Sequence, residues 1–196
     1  MKSGATVLTE PSRLRSAASD RVAATNSMAE RFFTENADAV AKACQAMANR
    51  FQRGGRLLVC GDGAQRSDVS HVVVEFLHPV VVGKRALPAL AFPTIAEGRA
   101  QQALEIHGRE NDLLMIVTAA PLSVAARALL ATARAKNIQS VALVGMDETS
   151  RQFADFLFTV PSPDQCIVQE THEMLYHVLW ELVHVFLDHR GRGGAL

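Results

Sequence analysis

The chain has 196 residues, 20 basic and 20 acidic side chains, and 48% apolar residues, which suits one globular domain and excludes wholesale disorder. A formal net charge of zero supplies no general basic field, so direct nucleic-acid binding is not expected. No uninterrupted apolar run approaches the ~20 residues that span a bilayer, so no membrane partner is expected either.

Residues 1–17 carry Pro, Ser, Thr and Arg without a period and read as a flexible N-terminal arm. They hold no apolar stretch of the secretory type, and a cytoplasmic protein is expected. One domain then spans residues 18–189, and residues 190–196 read as a disordered tail.

From residue 18 to residue 53 the pattern is helical. Phe33, Ala37, Val40, Cys44, Met47 and Phe51 recur at steps of four and three, and Gly54 and Gly55 stop the run. A helix of that length exceeds what one small domain must cover, which predicts packing between subunits. Residues 56–60 (RLLVC) form a buried-type strand, and a glycine turn leads into a helix over 65–77. Residues 87–92 form a weaker strand with a polar helical piece at 96–107. LLMIVT at 113–118 is a strong strand, followed by an Ala/Arg-rich helix over 122–136.

SVALVG at 140–145 is the fourth strand, with a short helix expected at 149–153, and FLFTV at 156–160 is the fifth. A last helix covers 164–189. Strands alternating with helices imply α/β architecture, a three-layer sandwich on a five-stranded parallel sheet, because parallel strands need helical crossovers. Ligands of such sheets bind beyond the carboxyl ends of the strands, here at 61–67, 94–98, 118–123 and 161–165.

Within CGDGAQRSDVSHVVVEF, Gly61 and Gly63 let backbone amides approach an anion at a helix N-terminus, although a βα turn alone requires no more. Further along that helix His71 and Glu75 stand four residues apart on one face. That pair can ligate a divalent metal, share a proton, or form an exposed ion pair. The last helix repeats the spacing with Gln169, Glu173 and His177. His184 and His189 read as surface histidines, and Leu175, Leu179, Leu182, Val183 and Phe186 as packing. Trp180 reads as a subunit contact. The three cysteines lack metal-type spacing and read as inert; Cys60 ends a buried strand, Cys44 lies on an apolar stripe, and Cys166 has no visible activator.

GGRLLVCGDG with the H-x-x-x-E helix, LPALAF, the third-strand loop and VPSPDQCIVQETHEMLYHVLWELVH together resemble the sugar isomerase (SIS) domain family. The likeness is to its phosphoheptose isomerases and, more distantly, to its initiator-associating subgroup. It runs over about residues 28–184. The resemblance implies aldose–ketose isomerisation of a sedoheptulose 7-phosphate-type sugar through an enediol, in a homotetramer with sites between subunits. It implies Glu75 as general base and His177 as general acid. A zinc ion would be held by His71, Glu75, Gln169 and His177. Gly61, Asp62, Gly63, Gln65, Arg66, Thr118, Ser123 and Gln169 would bind the substrate.

The family's C-G-N-G-G-S is here Cys60, Gly61, Asp62, Gly63, Ala64, Gln65, so the phosphate-binding serine is replaced by Gln65. Its S-T-S-G-N-S loop is Thr118, Ala119, Ala120, Pro121, Leu122, Ser123. Family aspartates correspond to Ile95 and Cys166. Arg66 and Arg99 are the cations that could compensate, although nothing in the sequence places either side chain. Three readings follow: a sugar-phosphate isomerase, a non-catalytic module that binds a sugar derivative or a protein partner in a regulatory role, or a metal-dependent enzyme with a different substrate.

Overall fold

The computed structural model describes residues 10–79, 81–147 and 150–192. Ten principal elements follow one another: α1 Glu10–Gln52, β1 Leu57–Gly61, α2 Arg66–Leu77, β2 Ala89–Ala91, α3 Arg99–His107, β3 Leu113–Val117, α4 Val124–Ala135, β4 Gln139–Val144, β5 Phe156–Thr159 and α5 Gln165–Arg192. The strands pair in parallel in the order β2-β1-β3-β4-β5. This is the three-layer α/β sandwich that the strand–helix rhythm predicts.

Side chains alternate across each central strand, and the two resulting sets define two apolar layers. Leu57, Val59, Leu113, Met115, Leu143 and Phe158 face α1, α2 and α5. Leu58, Cys60, Leu114, Ile116 and Ala142 face α3 and α4, where they meet Leu104, Leu129 and Leu130. β1 and β3 are buried at every position, which explains why they read as unbroken apolar runs rather than alternating ones.

The long first helix ends on a left-handed glycine: Gly54 has φ +79°, and the Gly54 and Gly55 amides return to the Phe51 and Arg50 carbonyls at 3.0 and 2.9 Å. Its other end corrects an expectation. α1 begins at Glu10, so residues 10–17 are helical rather than an arm; residues 1–9 lie outside the described set. Pro11 is tolerated in a first turn, and Arg13, Leu14, Arg15 and Ala17 are good helix formers. Residues 13–17 are exposed and have no core to face, so no apolar stripe marks them.

Arg21 carries the helix onto the start of α5 by pairing with Asp164 at 3.0 Å and Glu170 at 2.6 Å, and Thr25 donates to Glu170 at 2.5 Å.

Two further expectations change. The short helix at 149–153 is instead a single turn closed by Phe153 N–H on the Ser150 carbonyl, at 3.0 Å; Thr149 lies outside the described residues. α5 continues past His189 to Arg192, and residues 193–196 lie outside the described set. Among the described residues no helix is long and apolar enough to cross a membrane.

Candidate functional site

β1 and β3 are neighbours in register, Gly61 opposite Val117, so the loops that follow them open side by side at the carboxyl edge of the sheet. Only glycine fits at the end of β1: a Cβ on Gly61 would lie 2.7 Å from the Val117 carbonyl oxygen. Asp62 and Gly63 follow, then Gln65 and Arg66 lead into α2, placing the first candidate loop at a helix N-terminus. Arg66 is exposed, whereas Arg99 is already paired with Glu97 at 2.8 Å.

The surviving hydroxyls of the facing loop serve their own backbone. Thr118 Oγ1 accepts from the Ala120 amide at 3.2 Å. Ser123 caps α4 by accepting from the Ala126 amide at 3.1 Å. Asp62 Oδ1 accepts from the Thr94 hydroxyl, from the Ile95 amide at 2.9 Å and from the Ala96 amide at 3.3 Å. Its carboxylate therefore stitches the β1 loop to the β2 loop.

The second group lies between α2 and α5. His71 and Glu75, one turn apart, meet His177 across the helix pair. His71 Nε2 is 3.4 Å from Glu75 Oε1 and 3.3 Å from His177 Nε2, and His177 Nε2 is 4.0 Å from Glu75 Oε1. Ligand atoms of all three residues fall within 4.8 Å of one another. Glu75 is the most enclosed, with 17% of its side chain exposed, while the histidines are partly open.

Two imidazoles and a carboxylate suit zinc, whose Zn–N and Zn–O bonds of about 2.0–2.2 Å place tetrahedral donors roughly 3.4 Å apart. Two of the three separations match that spacing, so the donor set fits the ion.

Gln169 lies two turns before His177 on α5. Its Nε2 donates to Asp68 Oδ1 at 3.1 Å. Asp68 is 4% exposed, and its Oδ2 has no hydrogen-bond partner among the described residues. Burial pushes the Asp68 carboxyl above its ordinary value; the Gln169 bond pulls it back, Glu173 raises it and His71 lowers it.

Tyr176, 1% exposed, places its hydroxyl 2.9 Å from His71 Nδ1. Its phenol is raised chiefly by burial, then by Glu173, Asp68 and Glu75. Asp68 and Tyr176 carry no motif of their own, whereas Glu173 stands on the four-residue line of Gln169 and His177. The signal available for Asp68 was its place one helical turn before His71, and for Glu173 and Tyr176 the face they share with His177. Beside the cluster, Glu75, Val81, Lys84, His177, Trp180, Glu181 and Val185 line a cavity of about 470 Å³.

The remaining candidates lie outside the His71–Glu75–His177 cluster itself. His184 is buried, not a surface residue, with its ring nitrogens 2.9 Å from the Trp180 carbonyl and 3.0 Å from the Arg85 carbonyl. The segment before β2 turns back onto α5 at that point and covers it. His189 is exposed, as expected. Trp180 is buried within its own chain at 7% exposure. Burial raises the Cys44 thiol to about 12 and raises Cys60 further, while Cys166 is exposed. The two buried thiols are therefore protonated and unreactive at neutral pH.

The SIS domain description matches residues 22–145. The phosphoheptose isomerase of Solidesulfovibrio magneticus is 30% identical over 170 residues, covering 80% of this chain and 83% of that protein. The phosphoheptose isomerase of Thermodesulfovibrio yellowstonii is 28% identical over 172 residues, covering 81% and 85%. A solved phosphoheptose isomerase from Francisella tularensis superposes with a TM-score of 0.72 at 21% identity, covering 90% of this chain and 98% of that one. The chain belongs to the SIS-domain family, among its phosphoheptose isomerase-like members.

Proposed function

We propose that this chain is a zinc-dependent aldose–ketose isomerase acting on a sugar phosphate of the sedoheptulose 7-phosphate type, in a cytoplasmic homotetramer. The observation that carries the reading is the meeting of Glu75, His71 and His177 from two helices, with Glu75 Oε1 4.0 Å from His177 Nε2. In this reading Glu75 takes a proton from the carbon next to the carbonyl and returns it to the adjacent carbon. His177 gives a proton to the carbonyl oxygen and recovers one from the neighbouring hydroxyl, so an enediol links aldose and ketose without net loss of atoms. His71, Glu75 and His177 would hold the zinc, with Gln169 as a fourth candidate. When bound, the ion would polarise the sugar carbonyl. Gly61, Asp62, Gly63, Gln65, Arg66, Thr118 and Ser123 would frame the phosphate end.

Solvent exchange tests this reading directly. The protein is loaded with zinc and incubated with sedoheptulose 7-phosphate in D2O. Deuterium should enter the sugar at the carbon that exchanges its proton, and Glu75→Gln should abolish entry. No exchange at millimolar sugar would remove the catalytic reading.

The alternative is a non-catalytic SIS module that binds a sugar derivative or a protein partner. It draws support from the Thr118–Ala119–Ala120–Pro121 loop, where one hydroxyl and no basic side chain stand where an anion would need several donors. Binding of a sugar phosphate without exchange would favour it.

A further inference from the structure

The His71 ring is gripped on both nitrogens. Nε2 faces Glu75 and His177, at 3.4 and 3.3 Å. Nδ1 faces the Tyr176 hydroxyl at 2.9 Å and Glu173 Oε1 at 3.6 Å. The groups around Nδ1 both come from α5, where Glu173, Tyr176 and His177 occupy positions i, i+3 and i+4 of one face. Tyr176 packs edge-on against both histidines, with ring centroids 5.2 Å from His71 and 5.0 Å from His177 at interplanar angles of 74° and 76°.

Core packing alone explains an aromatic ring at this position but not its hydroxyl, because a buried O–H without a partner costs free energy. The hydroxyl is bonded to the one ring nitrogen that points away from the other metal-type donors.

We propose that Tyr176 and Glu173 are positioning residues for His71, holding Nδ1 so that Nε2 is the nitrogen that takes the cation. An imidazole nitrogen that ligates a metal offers its lone pair, so the ring proton must reside on the other nitrogen. With Nε2 on the ion, Nδ1–H donates to the Tyr176 oxygen, and the Glu173 carboxylate stabilises that polarisation of the ring. α5 thus supplies one ligand, His177, and also fixes the orientation of a ligand carried by α2. The metal site and the α2–α5 contact are then one structural unit.

The inference rests on the metal-binding reading above, and its test separates the two. Zinc affinity is measured by competition with a chromophoric chelator for the wild type, Tyr176→Phe, Glu173→Gln, and the double variant Tyr176→Phe/Glu173→Ala. Loss of an outer partner of a ligating histidine typically weakens metal binding about 10–100-fold. Tyr176→Phe should lose about tenfold or more while the unfolding midpoint of the metal-free protein barely moves. Glu173→Gln, which keeps an acceptor, should lose less, and the double variant more than either single change. Histidine 15N NMR of the zinc-loaded wild type should show His71 metallated at Nε2 and protonated at Nδ1, independently of whether any variant folds.

Wild-type affinity in Tyr176→Phe, or metal on Nδ1, overturns the positioning role and leaves the metal reading standing. No zinc uptake by the wild type overturns the metal reading and this inference with it.

Discussion

The Asp62 carboxylate on the loop after β1 reaches across to Thr94 on the loop after β2, and the same oxygen accepts the Ile95 amide. Ile95 is the position at which the isomerase resemblance expects an aspartate. A carboxylate is therefore delivered to the β2 loop from the neighbouring strand, and the side chain that would have stood there is buried at 3% exposure instead. The charge sits against three donors, so it serves as a clasp between two loops more than as a free repulsive group.

Asp62→Ala should consequently act on stability before it acts on anion binding. Hydrogen bonds to a charged group contribute about 1.5–3 kcal/mol, and no other described group replaces this acceptor. We expect a loss of about 2 kcal/mol, read as a lower Tm, with phosphate affinity unchanged within a factor of two or three. A large gain in phosphate affinity in a protein of unaltered Tm would show that repulsion dominates.

The candidate metal-binding cluster predicts stoichiometry. Protein purified with zinc present should carry one ion per chain by elemental analysis, and His177→Ala or His71→Ala should each release it. Both residues are needed because two ligands alone do not make a zinc site. Retention of a full equivalent of zinc in both variants would place the ion elsewhere.

The sheet was legible because LLVC, LLMIV and SVALV are buried on both faces and therefore apolar throughout. The His71/Glu75 pair was legible because four-residue spacing survives folding; that His177 of another helix joins it was implied by the family resemblance and not by any spacing. The clasp and the ring anchors were not. Asp68 and Gln169 are 101 residues apart, and Tyr176 lies 105 from His71, so no local pattern joins them. His184 misled for the same reason, since the segment that covers it arrives from Arg85, 99 residues earlier. The first turns of α1 were missed because an exposed helix needs propensity but no apolar stripe.

Assembly is the next test. α1 is 43 residues long, about 64 Å at 1.5 Å per residue, and its N-terminal turns leave Leu14 and Val22 at 67% and 59% exposure. Helical surface of this extent suits a contact between subunits, and sedimentation at micromolar concentration should return a tetramer. A clean monomer would remove both the tetramer and any site shared between chains.

Acid sensitivity follows from His172. The ring is 1% exposed, its Nε2 lies 3.2 Å from the Val144 carbonyl, and burial is the main cause that lowers its pKa to about 4. The unfolded chain, titrating near 6.5, binds the proton more readily than the fold does. His172 therefore takes nothing from stability above pH 6.5. As the pH falls from there towards 4 it removes up to about 3 kcal/mol. The urea midpoint should drop over that window, and His172→Gln, which keeps a donor for Val144 without titrating, should flatten the drop. An identical pH profile in the two proteins would assign the acid sensitivity to other groups.

The last prediction concerns the anchor for the substrate's phosphate. An acid and a base accelerate reaction only when the sugar is held at the right distance, and binding of a remote phosphate ordinarily supplies that positioning. Here Gln65 stands where the resemblance expects a serine, Thr118 and Ser123 already accept local backbone amides, and Pro121 has no amide to offer. The wild type should thus turn over sedoheptulose 7-phosphate weakly, with the deficit in KM more than in kcat. Ala120 and Pro121 are exposed, so their replacement disturbs no packing. The combination Gln65→Ser, Ala119→Thr, Ala120→Ser and Pro121→Gly should tighten the sugar phosphate about tenfold or more, the equivalent of one recovered charge-assisted hydrogen bond. Changes beside Glu75 should do less. Tight binding and brisk turnover by the unmodified chain would instead assign the anchor to another cation, for which exposed Arg66 at the start of α2 is the first candidate; Arg66→Ala should then raise KM sharply.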